Sequence, residues 1–156
     1  MSHEQFMGAA IRVAEEAITA GQMPVGSVIV CEGAIVAAAH NTVWLTCDPT
    51  AHAEVVAIRT AAAALRTVDL RGCTMYVTCE PCPMCLGATH WSKIDAVYFG
   101  ASIADARAAG FSELCVGAKA LAELGGSPLR VEEGPLRPEC VDLFAKWRAA
   151  GLSKPY

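Results

Sequence analysis

Three side chains in two short motifs have the types and spacing needed to hold a metal ion. Cys82 and Cys85 lie three positions apart in a Pro-Cys-Pro-Met-Cys run, and His52 begins an earlier His-Ala-Glu run. Zinc accepts imidazole nitrogen together with thiolate sulfur, and three protein ligands leave one tetrahedral position open for water. We therefore predict a catalytic zinc site formed by His52, Cys82 and Cys85.

Glu54 is suited to moving protons at that site. It stands two residues after His52, where its carboxylate can face the water on the predicted metal. Zinc lowers the pKa of bound water to about 7, and a neighbouring carboxylate can take that proton and return it to a leaving amine. The His-x-Glu and Pro-Cys-x-x-Cys pair resembles the signature of zinc nucleobase deaminases. Hydrolytic loss of ammonia from an amidine-like ring carbon is the reaction that this signature predicts.

Other interpretations of the cysteine run stay open at this stage. A Cys-x-x-Cys pair can be redox-active or form half of a structural zinc site. Cys79 precedes Cys82 by three positions, and the resulting run loosely resembles an iron–sulfur motif. That motif has a fourth cysteine where this chain has Thr89. We expect Cys79 to be a core residue at the end of a strand.

The composition indicates a globular protein with no special affinity for membranes or nucleic acids. Of 156 residues, 54% are hydrophobic and 18% are charged, and the net charge is −4. An acidic chain is not typical of a general nucleic-acid binder. No apolar run approaches the roughly 18 residues of a membrane span, and the N-terminus does not resemble a secretory signal. These features predict the cytoplasm, where the eight cysteines stay reduced.

The predicted elements alternate between helices and strands. Helical spacing runs from Glu4 to Ala20, and Glu32-Gly33 separates two β-rich runs as a hairpin turn. Residues 41–50 are expected to form a loop, with Asp48 or Thr50 capping the next helix. Further elements are expected as strands at 73–78, 96–99 and 129–132 and helices at 82–91 and 139–149, with short helices and loops over 101–126. This order predicts one domain over residues 1–156, an α/β fold built as a three-layer α/β/α sandwich around a mixed five-stranded sheet.

Longer segments around both motifs resemble the cytidine deaminase superfamily, in its purine and tRNA-adenosine branches. The likeness is carried by residues 48–54 and 79–88 and extends over nearly the whole chain. Residues 23–28 are similar to tRNA adenosine deaminases. Residues 109–113, Ala-Gly-Phe-Ser-Glu, are similar to a segment of bacterial guanine deaminases, although Ser112 departs from the usual aspartate.

The resemblance implies roles for residues outside the metal motif. It places Glu113 as a second proton shuttle and Asn41 as a hydrogen-bonding partner of the base. It also implies a homodimer in which the C-terminal segment closes over an active site. The residues expected to contact substrate are Asn41, Ala53, Trp91, Phe111 and Tyr156. Trp91 and Phe111 could equally be core residues, and Glu113 could be a solvated loop carboxylate.

The predicted reaction is zinc-dependent hydrolytic deamination of a free nucleobase or related aminated ring, with guanine to xanthine and ammonia first. A tRNA adenosine deaminase is the main alternative, although the C-terminal basic residues are diluted by acidic ones. Cytosine or another aminated ring is a further alternative. A non-catalytic zinc-binding module is the alternative outside the enzymes.

Overall fold

The computed structural model describes residues 1–152 and contains seven helices and five strands in that range. In chain order these are α1 (His3–Thr19), β1 (Gly26–Cys31), β2 (Ala34–His40), α2 (Val43–Thr46), α3 (Ala53–Leu65), β3 (Cys73–Cys79), α4 (Pro83–Trp91), β4 (Ala96–Ala101), α5 (Ile103–Ala108), α6 (Ala118–Leu124), β5 (Arg130–Glu133) and α7 (Arg137–Ala149).

The five strands form a single mixed sheet in the order β2-β1-β3-β4-β5. Strand β1 pairs antiparallel with β2 and β3, whereas β3, β4 and β5 run parallel. The parallel half follows from the connections, since α4 lies between β3 and β4 and α5 and α6 lie between β4 and β5. The mixed five-stranded sheet predicted from the sequence is confirmed.

Helices cover both faces of the sheet and complete the three layers. One apolar core lies under α1 and α7, and its members include Met7, Ala10, Phe144 and Trp147. A second core lies under α3, α4 and α6, and its members include Ala57, Ala61, Leu86 and Ala122. Small residues on α3 let that helix approach the sheet closely. The predicted α/β/α sandwich is therefore confirmed.

Two glycines allow helices to touch the sheet backbone. A Cβ at Gly26 would overlap the carbonyl oxygen of Ala10 in α1, and one at Gly100 would overlap the sulfur of Cys140 in α7. The hairpin turn has a different requirement, because Glu32 (φ 50°) and Gly33 (φ 77°) both adopt left-handed backbone angles. Two such residues in a two-residue loop match the twist of the strands that they join.

The region before α3 differs from the sequence prediction. Residues 41–50 are not entirely loop, since α2 forms a short turn of helix within them. The prediction that Asp48 or Thr50 caps α3 is wrong, because the N-cap is His52. Asp48 instead accepts hydrogen bonds from the backbone N–H and the hydroxyl of Thr50, at 2.8 and 2.6 Å, and so closes a turn before the helix.

The helices of the described chain are confined to the globular layers. Among residues 1–152, none is both long and apolar enough to cross a membrane.

Candidate metal and catalytic site

The predicted zinc ligands lie at the starts of two helices. His52 is the N-cap of α3 and Cys82 is the N-cap of α4, both with extended backbone angles, and Cys85 lies in the first turn of α4. Neither N-cap side chain makes a capping hydrogen bond to its own helix. Pro83 at the first helical position fixes the start of α4 immediately after Cys82. The three side chains thus meet where two positive helix ends converge.

The spacing of the three ligand atoms fits a zinc ion. His52 Nδ1 lies 3.7 Å from the Cys82 sulfur and 3.4 Å from the Cys85 sulfur, and all three atoms lie within 4.8 Å of one another. Tetrahedral zinc with ordinary bond lengths separates nitrogen and sulfur ligands by about 3.6 Å. Residues 1–152 provide no fourth histidine, cysteine or carboxylate to this group. The donor set therefore leaves one coordination position for a non-protein ligand.

The site favours a thiolate at Cys82. Hydrogen bonding from Cys85 and His52 outweighs burial and lowers the pKa of the Cys82 thiol to about 4. The pKa of Cys85 is raised, first because Cys85 donates its proton to Cys82 and second because it is buried. Cys79 is buried at the end of β3 and is not part of the ligand group among the described residues. This arrangement gives no support to the iron–sulfur alternative.

Glu54 lies in the first turn of α3, beside the ligands. It is 3% exposed, and burial raises the pKa of its carboxyl to about 7. The charge of His52 and a hydrogen bond from Cys85 act in the opposite direction. A carboxyl that titrates near neutrality can both accept and return a proton, which is the property of a general acid and base.

A cavity of about 340 Å³ opens onto the metal ligands. This volume lies within the range of small-molecule sites. Of the predicted site residues, the cavity is lined by Asn41, His52, Ala53, Glu54, Cys82, Phe111 and Glu113. The fold therefore brings together residues from four separate segments of the sequence. His52 and Glu54 come from α3, Cys82 from the start of α4, Asn41 follows β2, and Phe111 and Glu113 lie between α5 and α6.

The side-chain amide of Asn41 is held in one orientation. Its oxygen accepts the backbone N–H of Val43, the first residue of α2, at 3.1 Å. Asn41 is 3% exposed and lines the cavity. Since the amide oxygen is engaged, the amide NH₂ is the group that Asn41 can offer to a bound molecule. A matching ligand must present a hydrogen-bond acceptor at that position.

Phe111 and Glu113 form a second wall of the cavity, which comes from the connection between α5 and α6. The Phe111 ring packs on two aromatic residues of α7, with centroid distances of 5.4 Å to Phe144 and 5.2 Å to Trp147. The pKa of Glu113 is raised by burial and by the nearby Cys82, whereas His52 lowers it. Glu113 is thus close enough to the ligand group to act on the same bound molecule.

One predicted substrate contact, Trp91, is not brought to this cavity. Trp91 is 76% exposed and is not among the lining residues, so the prediction is wrong for the pocket of its own chain. The reason is geometric, because α4 starts at the metal ligands and runs about 12 Å before it reaches Trp91. There Lys93 lies 5.6 Å from the centroid of the Trp91 ring. Tyr156 lies outside the described residues.

Sequence reasoning missed several residues of the cavity. Met23, Val25, Met84 and Leu114 supply apolar lining, and Glu80 supplies a further carboxylate. Glu80 carried a partial signal, because an acidic residue directly after a buried strand needs hydrogen-bond partners, but the sequence does not indicate which groups those partners are. The apolar residues carried none, because hydrophobic side chains in loops do not indicate which cavity they line.

Three known proteins show the range of enzymes to which the chain is similar. The guanine deaminase of Bacillus subtilis is 48% identical over 114 residues, which are 72% of this chain and 73% of that protein. Its crystal structure has a TM-score of 0.71 over the same shares. A tRNA-specific adenosine deaminase of Aquifex aeolicus is 48% identical over a region that covers 65% of this chain and 67% of that protein. The guanine deaminase structure from Nitrosomonas europaea has a TM-score of 0.84 and 28% identity, over 94% of this chain and 84% of that one.

The family model for the cytidine and deoxycytidylate deaminase zinc-binding region matches residues 1–101. This range contains His52, Glu54, Cys82 and Cys85, whose geometry independently fits a zinc ion. The chain therefore belongs to the cytidine and deoxycytidylate deaminase family of zinc-binding deaminases.

Proposed function

We propose that this protein hydrolyses the exocyclic amine of a free nucleobase, with guanine as the first candidate and xanthine and ammonia as products. One observation carries the proposal: a single cavity is lined by the metal ligands His52 and Cys82 and by the carboxylates of Glu54 and Glu113. Hydrolytic deamination needs these parts, namely a bound nucleophile and groups that move protons to the ring and to the departing amine.

Zinc held by His52, Cys82 and Cys85 would lower the pKa of water at its open position to about 7 and so supply a nucleophile at neutral pH. Glu54 would accept a proton from the attacking water and donate it to the ring nitrogen next to the carbon under attack. The C–N bond to the amine then breaks, and the amine leaves as ammonia after it receives the second water proton. Water is consumed and ammonia is released, so the atoms balance without a further reactant.

Glu113 supports the departure of the amine. It lines the same cavity as Glu54 and is half-buried close to Cys82 and His52. A carboxyl in that position can carry a proton to the leaving nitrogen while Glu54 remains beside the ring. Asn41 orients the ring through its NH₂ group, and Phe111 provides an apolar surface against which a flat ring can pack.

Two observations favour a free base over tRNA. The structure of the Nitrosomonas europaea guanine deaminase is similar over 94% of this chain, whereas a structure from a study of tRNA:A34 deaminases is similar over 64%, close to the 65% that the Aquifex aeolicus tRNA deaminase matches in sequence. The longer match extends into the part after residue 101, which carries Glu113 and α7. In addition, the net charge of −4 is unsuited to binding a polyanion. The tRNA activity is the second candidate, because that relative is 48% identical where it matches.

Ammonia release measured across a panel of substrates tests the proposal. The panel contains guanine, guanosine, adenine, cytosine, isocytosine and tRNA, each with zinc-loaded protein and with chelator-treated protein. We expect guanine to be the fastest substrate and chelation to abolish its turnover. Release from tRNA alone, with steep salt dependence, would instead establish the second candidate.

We also propose a homodimer in the cytoplasm. The outer side of α4 exposes Met84 (37%) and Trp91 (76%), which a second copy of the chain would cover. Light scattering after size-exclusion chromatography should give twice the chain mass, and Trp91→Glu should shift the protein toward the monomer. A wild-type monomer at micromolar concentration would contradict the dimer.

A further inference from the structure

Glu80 occupies the junction between the sheet and the metal site. It follows Cys79, the last residue of β3, and precedes Cys82 by two positions. Its backbone N–H donates to the carbonyl of Ala101 at 2.8 Å, which continues the β3–β4 pairing by one residue. The base of the side chain is therefore fixed by the sheet.

The two carboxylate oxygens of Glu80 are used by two different helices. One accepts the backbone N–H of Ile103, the first residue of α5, at 2.9 Å. The other accepts the backbone N–H of Ala118, the first residue of α6, at 2.7 Å. The first N–H groups of a helix have no partner within the helix, and a carboxylate there also interacts favourably with the helix dipole.

These two helices bracket the segment that contributes Phe111 and Glu113 to the cavity. Residues 109–117 connect α5 to α6 without regular secondary structure, and Phe111 to Leu114 all line the cavity. Most of its backbone hydrogen bonds lie at its two ends, where the N–H groups of residues 109–111 donate to carbonyls of α5 and the carbonyl of Gly117 accepts from Leu121 in α6. Between those ends, the described backbone bond is the one from Val116 to Leu114. A segment of this kind depends on its ends for its position.

We propose that Glu80 is a positioning residue for the deamination: by joining the starts of α5 and α6 to the end of β3, it holds Glu113 and Phe111 at a fixed distance from the metal ligands. Glu80 does not act on the ring, since both its oxygens are occupied by backbone donors. The inference rests on the proposed function for its catalytic consequence. The anchoring of residues 109–117 can be measured without it.

Glu80→Gln is the first test, because it keeps the size of the side chain and replaces one acceptor oxygen by an amide NH₂ group, which cannot accept a hydrogen bond. We expect kcat per bound zinc to fall by roughly 10- to 100-fold, a loss typical of misplaced catalytic groups, with a smaller change in KM and full zinc content. Hydrogen exchange in residues 109–117 should accelerate by about tenfold. Glu123→Gln is the matched control, since it makes the same charge change on the exposed side of α6.

Ala118→Pro tests the same contact without altering Glu80. Proline removes the Ala118 N–H, one of the two backbone donors to Glu80, and it is tolerated at the first position of a helix. The preceding Gly117 already has the extended angles that a following proline requires (φ −61°, ψ 138°). We expect the same faster exchange in residues 109–117 and a fall in kcat in the same direction, so the proposal stays testable if Glu80→Gln does not fold.

A double variant separates positioning from general damage. If Glu80 acts through the Glu113 segment, Glu80→Gln in a Glu113→Gln background should cost less than about twofold in kcat. A full, additive loss in that background would overturn the proposal. Unchanged exchange in residues 109–117 in both Glu80→Gln and Ala118→Pro would also overturn it. If wild-type protein releases no ammonia from any substrate, the proposed function fails, and the exchange measurements alone decide the anchoring.

Discussion

The two walls of the cavity are built from different kinds of structure. The metal-ligand wall comes from the starts of α3 and α4, where His52 and Cys82 are N-caps and each helix fixes its own first turn. The second wall comes from the irregular connection between α5 and α6, residues 109–117. This connection is held by residues outside it. Glu80 hydrogen-bonds to the first residues of α5 and α6, and two aromatic rings of α7 pack against Phe111.

The comparison shows that local sequence determines the positions of the metal ligands, whereas tertiary contacts determine the positions of Phe111 and Glu113. A short motif is enough to place ligands at the start of a helix, because the backbone there has one conformation. A carboxylate on an irregular connection takes its position from distant residues. Changes on the metal side should therefore act on zinc and on turnover directly, whereas changes on the other side should act on turnover with zinc retained.

The largest effect is expected from His52→Ala. Removing a nitrogen ligand leaves two thiols, so zinc affinity should fall by more than about 100-fold and deaminase activity should be lost with it. Metal content per chain, measured by mass spectrometry after dialysis, gives the answer. His90→Ala is the control, because His90 forms a hydrogen bond with Ser127 and does not line the cavity at the metal ligands. Full zinc retention in His52→Ala would remove His52 from the ligand set.

Glu54→Ala should separate metal binding from catalysis on the same wall. The variant should keep its zinc, since Glu54 is not part of the ligand group, and lose about 10⁴-fold in kcat, because the carboxylate proposed to take the proton from water is removed. Stopped-assay ammonia release and metal content are measured on the same sample. Near-normal turnover would defeat the assigned role of Glu54.

Glu113→Gln changes the carboxylate on the second wall of the cavity. The amide keeps the shape of the side chain but carries no transferable proton, so kcat should fall by about 100-fold with zinc content unchanged. Steady-state kinetics with guanine measure the loss. If kcat is the same as in the wild type, Glu113 is a solvated carboxylate and the comparison between the two walls loses its catalytic meaning.

Asp105→Asn tests the start of α5, one of the two helices that Glu80 holds. Partial burial raises the pKa of Asp105, but hydrogen bonds from Ser102 and the charge of Arg137 outweigh it and lower the pKa. A lowered folded pKa stabilises above the unfolded value of about 3.9, and that stability is lost as the pH falls through the folded value.

The cost of Asp105→Asn should be about 1 kcal/mol in the free energy of unfolding at pH 7, and it should shrink toward zero below about pH 3.5. Urea unfolding at both pH values measures it. Asp142→Asn, at the exposed pair with Lys146, should cost less than about 0.5 kcal/mol. A cost for Asp105→Asn that does not change with pH would show that the charge of Asp105 contributes nothing.

The smallest effect is expected in the core, where Ser27→Ala should raise stability slightly. The Ser27 hydroxyl is fully buried and has no hydrogen-bond partner among the described residues. Removing this hydroxyl, which leaves the methyl side chain of alanine, should leave the free energy of unfolding equal or higher by up to about 1 kcal/mol. Ser92→Ala is the control and should destabilise by a similar amount, because its hydroxyl donates to the Thr89 carbonyl at 2.9 Å. Destabilisation in Ser27→Ala would indicate a partner such as buried water.

The sequence was sufficient for the parts of the molecule that local rules govern. Apolar periodicity placed α1, the Glu32-Gly33 turn gave the hairpin, and alternating strands and helices gave the three layers. The ligand group was predictable because two N-cap positions and one helical turn fix it within short motifs. Resemblance, and not local pattern, placed Glu113 and Phe111 at the cavity.

The errors arose where tertiary contacts override local preference. Asp48 has the chemistry of a helix cap, but its oxygen is taken by Thr50, and the helix begins at His52. Trp91 has the chemistry of a pocket residue, but the length of α4 carries it away from the cavity. Glu80 was missed because its two partners are 23 and 38 residues away along the chain. No window of sequence contains all three.

The absence of a side chain at Gly26 and Gly100 has a consequence for how this enzyme could change. At these positions α1 and α7 rest directly on the sheet, so one added methyl group would push a whole helix outward. The outer end of α7 carries Trp147, on which the Phe111 ring leans. We therefore expect substitutions that change substrate preference to occur at residues that face the ring. Gly26 and Gly100 should remain glycine, because any larger residue there would displace a helix.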